Sequence, residues 1–217
     1  MILMTEKILV IAAHNDDPIF GAGGTLAKYA KQGKKIKTII FSYGELSHPH
    51  LKPEIIIKTR KRETNKADKI LGGQGVEYMD LRDTNMLLKI RKPETKQRIT
   101  HIIQREQPNK IFTHGANDLH THHMVIYKLI KKLIKENKIN CPVYSFDVWN
   151  IMKLRKRSTP KLVVDITDTF QTKIEALKAH KSQTNTLMSL GWLVHLKARM
   201  NGFHNEVKYA EIFDKIN

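Results

Sequence analysis

Two short runs concentrate the side chains that could do chemistry. His14, Asn15, Asp16 and Asp17 follow the apolar stretch KILVIAA, and THGANDLHTHH (113–123) begins in a second apolar stretch. Five of the eleven histidines lie between His101 and His123, three of them within four residues. Imidazole nitrogens and carboxylate oxygens from separate segments form the donor set of a catalytic divalent metal, which takes three protein ligands and leaves one position open. His14 and a neighbouring carboxylate, completed by a histidine of the second run, would make such a set. Taken singly, HNDD could be a turn using its own local hydrogen bonds. His120–His123 could likewise be a solvated helix start with Thr121 as N-cap. Their joint occurrence at strand ends argues for a site.

The elements that must position these residues alternate along the chain. Residues 7–13 read as a strand buried on both faces. GAGGTLAKYAKQGKK follows as a glycine-rich turn feeding a helix that stops near Gly33. KIKTIIFSYGE is a second strand, 54–71 a helix, VEYMDL (76–81) a third strand, 93–107 a helix and KIFTHG (110–115) a fourth strand. A helix over about 122–137 and the strand CPVYSFDVW come next, then KLVVDIT (161–167), helices over 168–181 and 184–200, and a polar end. Strands alternating with helices of this length imply βαβ units around a parallel sheet. The expected class is α/β, a Rossmann-like three-layer sandwich with a mainly parallel sheet. It forms one domain, with a doubly wound core over 1–150 and a C-terminal part, 151–217, that completes the substrate site. Ligands in such sheets bind beyond the carboxyl ends of the strands, where HNDD, YGE and the histidine-rich run all fall.

Composition narrows the function classes. Of 217 residues, 41% are hydrophobic and 27% charged, ordinary for a globular chain and unlike a disordered or collagen-like one. One cysteine, Cys141, excludes an intramolecular disulfide framework and a cysteine-based zinc finger. No apolar run is long enough for a membrane span, so a cytoplasmic protein is expected. The net charge of +17 suits an anionic partner or substrate, but the basic residues are scattered in small clusters rather than one block. GAGGT has neither the spacing nor the position of a phosphate-cradling loop. Its glycines instead suit close packing of helix on sheet.

AHNDDPIFGAGGTLA resembles the AHPDDE and GGTLA signature of the PIG-L (LmbE-like) N-acetylsugar deacetylase family. SYGE, RKRETNKADKILG, DLRDTNM, HGANDLHTHH, ALKAHKSQ and KYAEIF resemble, in order, further family segments along nearly the whole chain. VVDITD and AHKSQ are especially similar to archaeal diacetylchitobiose and N-acetylglucosamine deacetylases. The resemblance implies a zinc-dependent hydrolase acting on an N-acetylglucosamine-type sugar, in which His14, Asp17 and His123 hold Zn2+ and Asp16 is the general base. His120 would stabilise the oxyanion or protonate the leaving amine. Arg60, Asp83 and His180 would line the substrate site, supported by Glu63, Ser182 and Gln183, and His122 would point elsewhere. A homo-oligomer, trimer or hexamer, is implied too. Three positions depart from the family pattern: Asn15 stands for proline, which should loosen the turn, Pro18 for glutamate, and His122 for aspartate. The competing readings are a polyanion- or nucleic-acid-binding protein, and a metal hydrolase of a nucleotide-linked substrate with an anionic carrier.

Overall fold

A computed structural model describes residues 5–48, 50–149 and 160–217. Its seven strands are β1 (Lys7–Ala12), β2 (Lys35–Ser42), β3 (Val76–Leu81), β4 (Lys110–His114), β5 (Val143–Phe146), β6 (Lys161–Asp165) and β7 (Ala210–Lys215). They form one sheet in the order β3-β2-β1-β4-β5-β7-β6. β1 to β5 run parallel, with Ile8 opposite both Ile36 and Lys110, and β7 is antiparallel to both its neighbours. The helices are α1 (Asp17–Lys31), α2 (Pro53–Leu71), α3 (Met86–Lys89), α4 (Pro93–Glu106), α5 (Thr121–Lys135), α6 (Phe170–Lys178) and α7 (Thr184–Phe203).

The two faces of β1 show why its sequence is apolar throughout. Ile8, Val10 and Ala12 pack with α1, α2, α6 and α7, whereas Leu9, Ile11 and Ala13 pack with α3, α4 and α5. Alternate side chains of a strand face opposite ways, so covering both faces requires apolar residues at every position. The result is the expected three-layer α/β sandwich.

Two elements differ from expectation. α1 starts at Asp17, with Pro18 in its first turn, so the glycines lie inside the helix rather than in a turn before it. Proline is well suited there, because the first helical N–H groups have no intrahelical acceptor. The glycines bring the helix against its neighbours: a Cβ at Gly21 would lie 2.2 Å from the Phe146 ring, and one at Gly24 would lie 2.7 Å from Ile166. Second, the polar end contains β7, which carries a buried Glu211. That carboxylate accepts from the N–H groups of Gly24 and Thr25 at 3.1 and 2.8 Å, and pairs with Lys173 Nζ at 2.7 Å.

Candidate metal centre and catalytic cavity

The turn after β1 carries His14, Asn15 and Asp16 into the first residue of α1, Asp17. The His14 N–H donates to Asp17 Oδ2 at 2.7 Å, folding the carboxylate back over the strand end. The same oxygen lies 3.4 Å from His14 Nδ1 and 3.2 Å from His123 Nε2. Ligands bound at ~2.0–2.1 Å in a tetrahedral site stand about 3.3 Å apart, so these separations fit a shared ion. Both His123 nitrogens are buried without a well-directed hydrogen bond, as suits a ring placed to ligate.

Three donor groups lie close enough together to hold a metal: His14 with His120 and His123; His14 with Asp83 and His122; and Asp17 with His114 and His123. Lone pairs discriminate among them. His114 Nε2 accepts the N–H of Ala13 at 2.9 Å, and a neutral ring then carries its proton on Nδ1. His114 therefore supports the cluster, stacked on His123 with ring centroids 3.9 Å apart. Burial first, then the charge on His123, pushes His114 down to about 4. His120 caps α5, its Nδ1 accepting the His122 N–H at 3.2 Å, so its Nε2 keeps a proton to donate. Burial and the surrounding histidines push it down to about 4 as well. Among the described residues, His14, His122 and His123 are the rings of the cluster whose nitrogens accept no backbone N–H.

His123 stands between two carboxylates, with Nδ1 3.0 Å from Asp118 Oδ1 and Nε2 facing Asp17. Burial opposes a charge on this ring, but Asp17 and Asp118 outweigh burial and lift it to about 10. Burial likewise works to raise Asp17, yet the adjacent imidazoles, His123 foremost, hold it well below the usual carboxylate range. A carboxylate behind a ligating histidine fixes its orientation and raises its basicity. Asp118 also accepts from His120 N at 3.1 Å and Val148 N at 2.7 Å, tying the start of α5 to the end of β5. Sequence reasoning assigned no role to His114 or Asp118. The signal available for Asp118 was an acid two residues before His120 at a strand end.

Asp16 faces the other way. Its Oδ1 accepts from Arg60 Nη2 at 3.1 Å, while Arg60 Nη1 donates to the Gly44 carbonyl at 2.9 Å. Gly44 has φ +68°, and a Cβ there would fall 1.8 Å from Arg60 Nη1, so this contact requires glycine. Asp83 accepts from Ser42 Oγ and from the Leu46 N–H, and Glu45 Oε1 takes the Asp83 N–H at 2.8 Å. Glu63 receives Ser182 N and Oγ at 2.9 and 2.6 Å, holding the Lys181–Gln183 turn against α2. A cavity of about 260 Å³ opens over this set, lined by His14, Asp16, Asp17, Arg60, Asp83, His120 and Gln183 among others.

Three expectations need correction. His122 turns inward, its Nδ1 3.1 Å from His14 Nε2. The helix begins at Thr121, so His120 sits in extended backbone ahead of it and all three histidines reach the cluster. His180, expected at the substrate, has no accessible surface; it lies in the field of Asp16, Arg60 and Glu63, and both ring nitrogens lack hydrogen bonds. Burial lowers its pKa. Asn15 tightens the turn rather than loosening it: Nδ2 donates to the Tyr43 carbonyl at 2.6 Å, and Oδ1 accepts the hydroxyls of Thr64 and Tyr78, both at 2.8 Å.

A three-layer α/β domain with a histidine–carboxylate cluster at the carboxyl edge of its sheet defines an α/β protein with a candidate metal site. Residues 9–134 match the sequence model of the PIG-L family, described as GlcNAc-PI de-N-acetylase, and the chain belongs to that family of deacetylases. A 4-oxalmesaconate hydratase of Pseudomonas putida is 26% identical over 199 residues, spanning 82% of this chain and 74% of that protein. A probable N-acetyl-alpha-D-glucosaminyl L-malate deacetylase 2 of Bacillus cereus is 25% identical over 195 residues, covering 85% and 87%. Among solved structures, the N,N'-diacetylchitobiose deacetylase of Pyrococcus horikoshii shares the fold with a TM-score of 0.82, at 20% identity over 98% of this chain and 84% of that one. No helix among the described residues is long and apolar enough to cross a membrane.

Proposed function

We propose that this chain is a zinc-dependent hydrolase that removes the acetyl group from an N-acetylglucosamine-type sugar, with His14, Asp17 and His123 as metal ligands and Asp16 as general base. The observation that carries this reading is the division of labour between adjacent acids. Asp17 Oδ2 stands within 3.4 Å of three histidines, His14, His114 and His123, while Asp16 is held apart from them by Arg60 at the cavity wall.

A divalent ion held by His14, Asp17 and His123 would supply Lewis acidity for the acetamide carbonyl and for water. Asp16 accepts the proton of the attacking water as its oxygen bonds the carbonyl carbon. Arg60 keeps one Asp16 oxygen occupied, which fixes the direction of the other. As negative charge grows on the former carbonyl oxygen, the Nε2–H of His120 donates to it; a preplaced donor of this kind stabilises the transition state by several kcal/mol, on the order of 3. Asp16 then passes its proton to the departing nitrogen. The C–N bond breaks, and acetate and the amino sugar leave. Asp83, Arg60 and Gln183 offer the hydrogen bonds that sugar hydroxyls need, and the net charge of +17 would draw in a substrate on an anionic carrier.

The test is acetate release from a panel of N-acetylglucosaminyl compounds, comparing the zinc-loaded chain with Asp16→Asn. We expect release in the former and a 10²–10⁴-fold fall in the latter, the range typical of a lost general base, with bound zinc unchanged by metal analysis. No release on any compound despite stoichiometric zinc would overturn the reading. The likeness to the Pseudomonas putida hydratase favours a second reading, addition of water to an unsaturated acid, which would then be assayed directly.

A further inference from the structure

The catalytic cavity has an apolar annex. Phe20, Val148 and Leu190 line both the cavity and a smaller pocket of about 50 Å³ whose walls include Phe146, Val194 and Ala198. Four charged residues also border that pocket: Lys173 and Glu211 are paired at 2.7 Å, and Lys197 Nζ donates to the Asp147 carbonyl at 2.9 Å.

Strand order places this annex opposite the polar wall. β1, which delivers His14, Asp16 and Asp17, is central; β2 and β3 lie to one side of it, β4 and β5 to the other. Ser47 and Asp83 follow β2 and β3, and Arg60 of α2 joins them, so hydrogen-bonding groups gather on one flank. Val148 follows β5, and Phe20 and Leu190 close the other flank. An amide held at the metal cluster has its nitrogen substituent and its acyl substituent at opposite ends. With the sugar hydroxyls on the polar flank, the acyl group is directed to the apolar one.

We infer that the annex is an acyl pocket, and that the chain hydrolyses N-acyl amino sugars with acyl groups longer than acetyl. This rests on the amide-hydrolase reading above. A single water needs roughly 10–15 Å³ of such space, so the annex holds roughly three or four carbons beyond the acetyl methyl. Burying each methylene contributes roughly fourfold in binding. The reaction is the same addition of water: the amide C–N bond breaks, and butyrate or hexanoate leaves in place of acetate.

The experiment measures kcat/KM of the zinc-loaded chain on glucosamine N-acylated with acetyl, propionyl, butyryl and hexanoyl groups, by amine release. The expected result is a butyryl value at least equal to the acetyl value. In Ala198→Leu and in Val194→Phe, which fill the annex from two sides, the butyryl-to-acetyl ratio should fall tenfold or more. Acetyl hydrolysis with butyryl rejected more than tenfold by the unaltered chain would overturn the inference and leave the deacetylase reading standing. Longer acyl groups accepted with an unchanged ratio in both variants would place them elsewhere and overturn it too. No amine from any of the four would refute both.

Discussion

Replacing Lys173 with methionine should destabilise the protein by about 3 kcal/mol, because it strips one partner from a buried ion pair. Lys173 of α6 is 3% exposed and Glu211 of β7 is 5% exposed. Its ammonium meets Glu211 Oε1 at 2.7 Å and the Phe20 carbonyl at 2.8 Å. Removing one member of a buried pair costs about 3–5 kcal/mol. The lower end applies here, since Glu211 keeps the N–H groups of Gly24 and Thr25 and methionine replaces most of the lysine stem. For a chain of this size that corresponds to a fall of about 6–12 °C in Tm. Lys173→Met/Glu211→Met should recover most of the loss, because a buried pair exchanged for apolar side chains is often near neutral. The freed Gly24 and Thr25 donors can then turn to carbonyls of their own helix. Urea unfolding of the metal-free protein measures all three. A single variant within about 1 kcal/mol of the parent, too small for a broken buried pair, would refute the reasoning, as would a double variant no better than the single.

Asp118→Asn should lower metal affinity about 10–100-fold, because Asp118 orients His123 from behind; chelator competition checks this, and an unchanged affinity would contradict it. Asn15→Ala takes the acceptor from the buried Tyr78 hydroxyl and the donor from the Tyr43 carbonyl, while Thr64 keeps the Arg60 carbonyl, and should cost about 2–4 kcal/mol, read by urea unfolding, with a loss below about half that arguing against a turn held by Asn15. Burial lifts Asp68 above the usual carboxylate range, only partly offset by the Gly75 N–H and Lys37. The folded state therefore binds the Asp68 proton more tightly than the unfolded one, and stability falls as pH rises from the ordinary carboxylate value through the raised one. Asp68→Asn should lose less stability than the parent over that window; parallel stability–pH curves would contradict this.

Much of the architecture was legible in the sequence because burial on both faces leaves a local mark. β1 is apolar at nearly every position and β2 over Ile39–Phe41, and α4 and α5 repeat apolar residues at helical spacing. His14, Asp16, Asp17 and the His120–His123 run were singled out because strand ends of a parallel sheet share one edge, whereas Arg60 and Asp83, which also line the cavity, came from the family resemblance alone. What was not legible depends on partners distant in the chain. β7 reads as polar until Lys173 of α6 and the backbone of α1 meet Glu211. The direction of His122 depends on a helix boundary one residue earlier than spacing suggested. Removing His114 from the ligand set required the Ala13 N–H, which only the pairing of β1 with β4 brings to it. Asn15 at a position where the family carries proline looked like a loss of rigidity. Its three partners lie 28, 49 and 63 residues away, beyond the reach of any local rule.

The central claim, hydrolysis of an acetamide at the His14–Asp17–His123 cluster, is tested most directly by parallel assays on one preparation: acetate and free amine from N-acetylglucosaminyl compounds, and hydration of 4-oxalmesaconate. The account predicts acetate and amine in equal amounts, lost on chelation, restored by zinc, and lost in Asp17→Ala together with metal binding, with no hydration. Hydration without acetate release, or acetate release that persists when Asp17→Ala no longer binds metal, would contradict it.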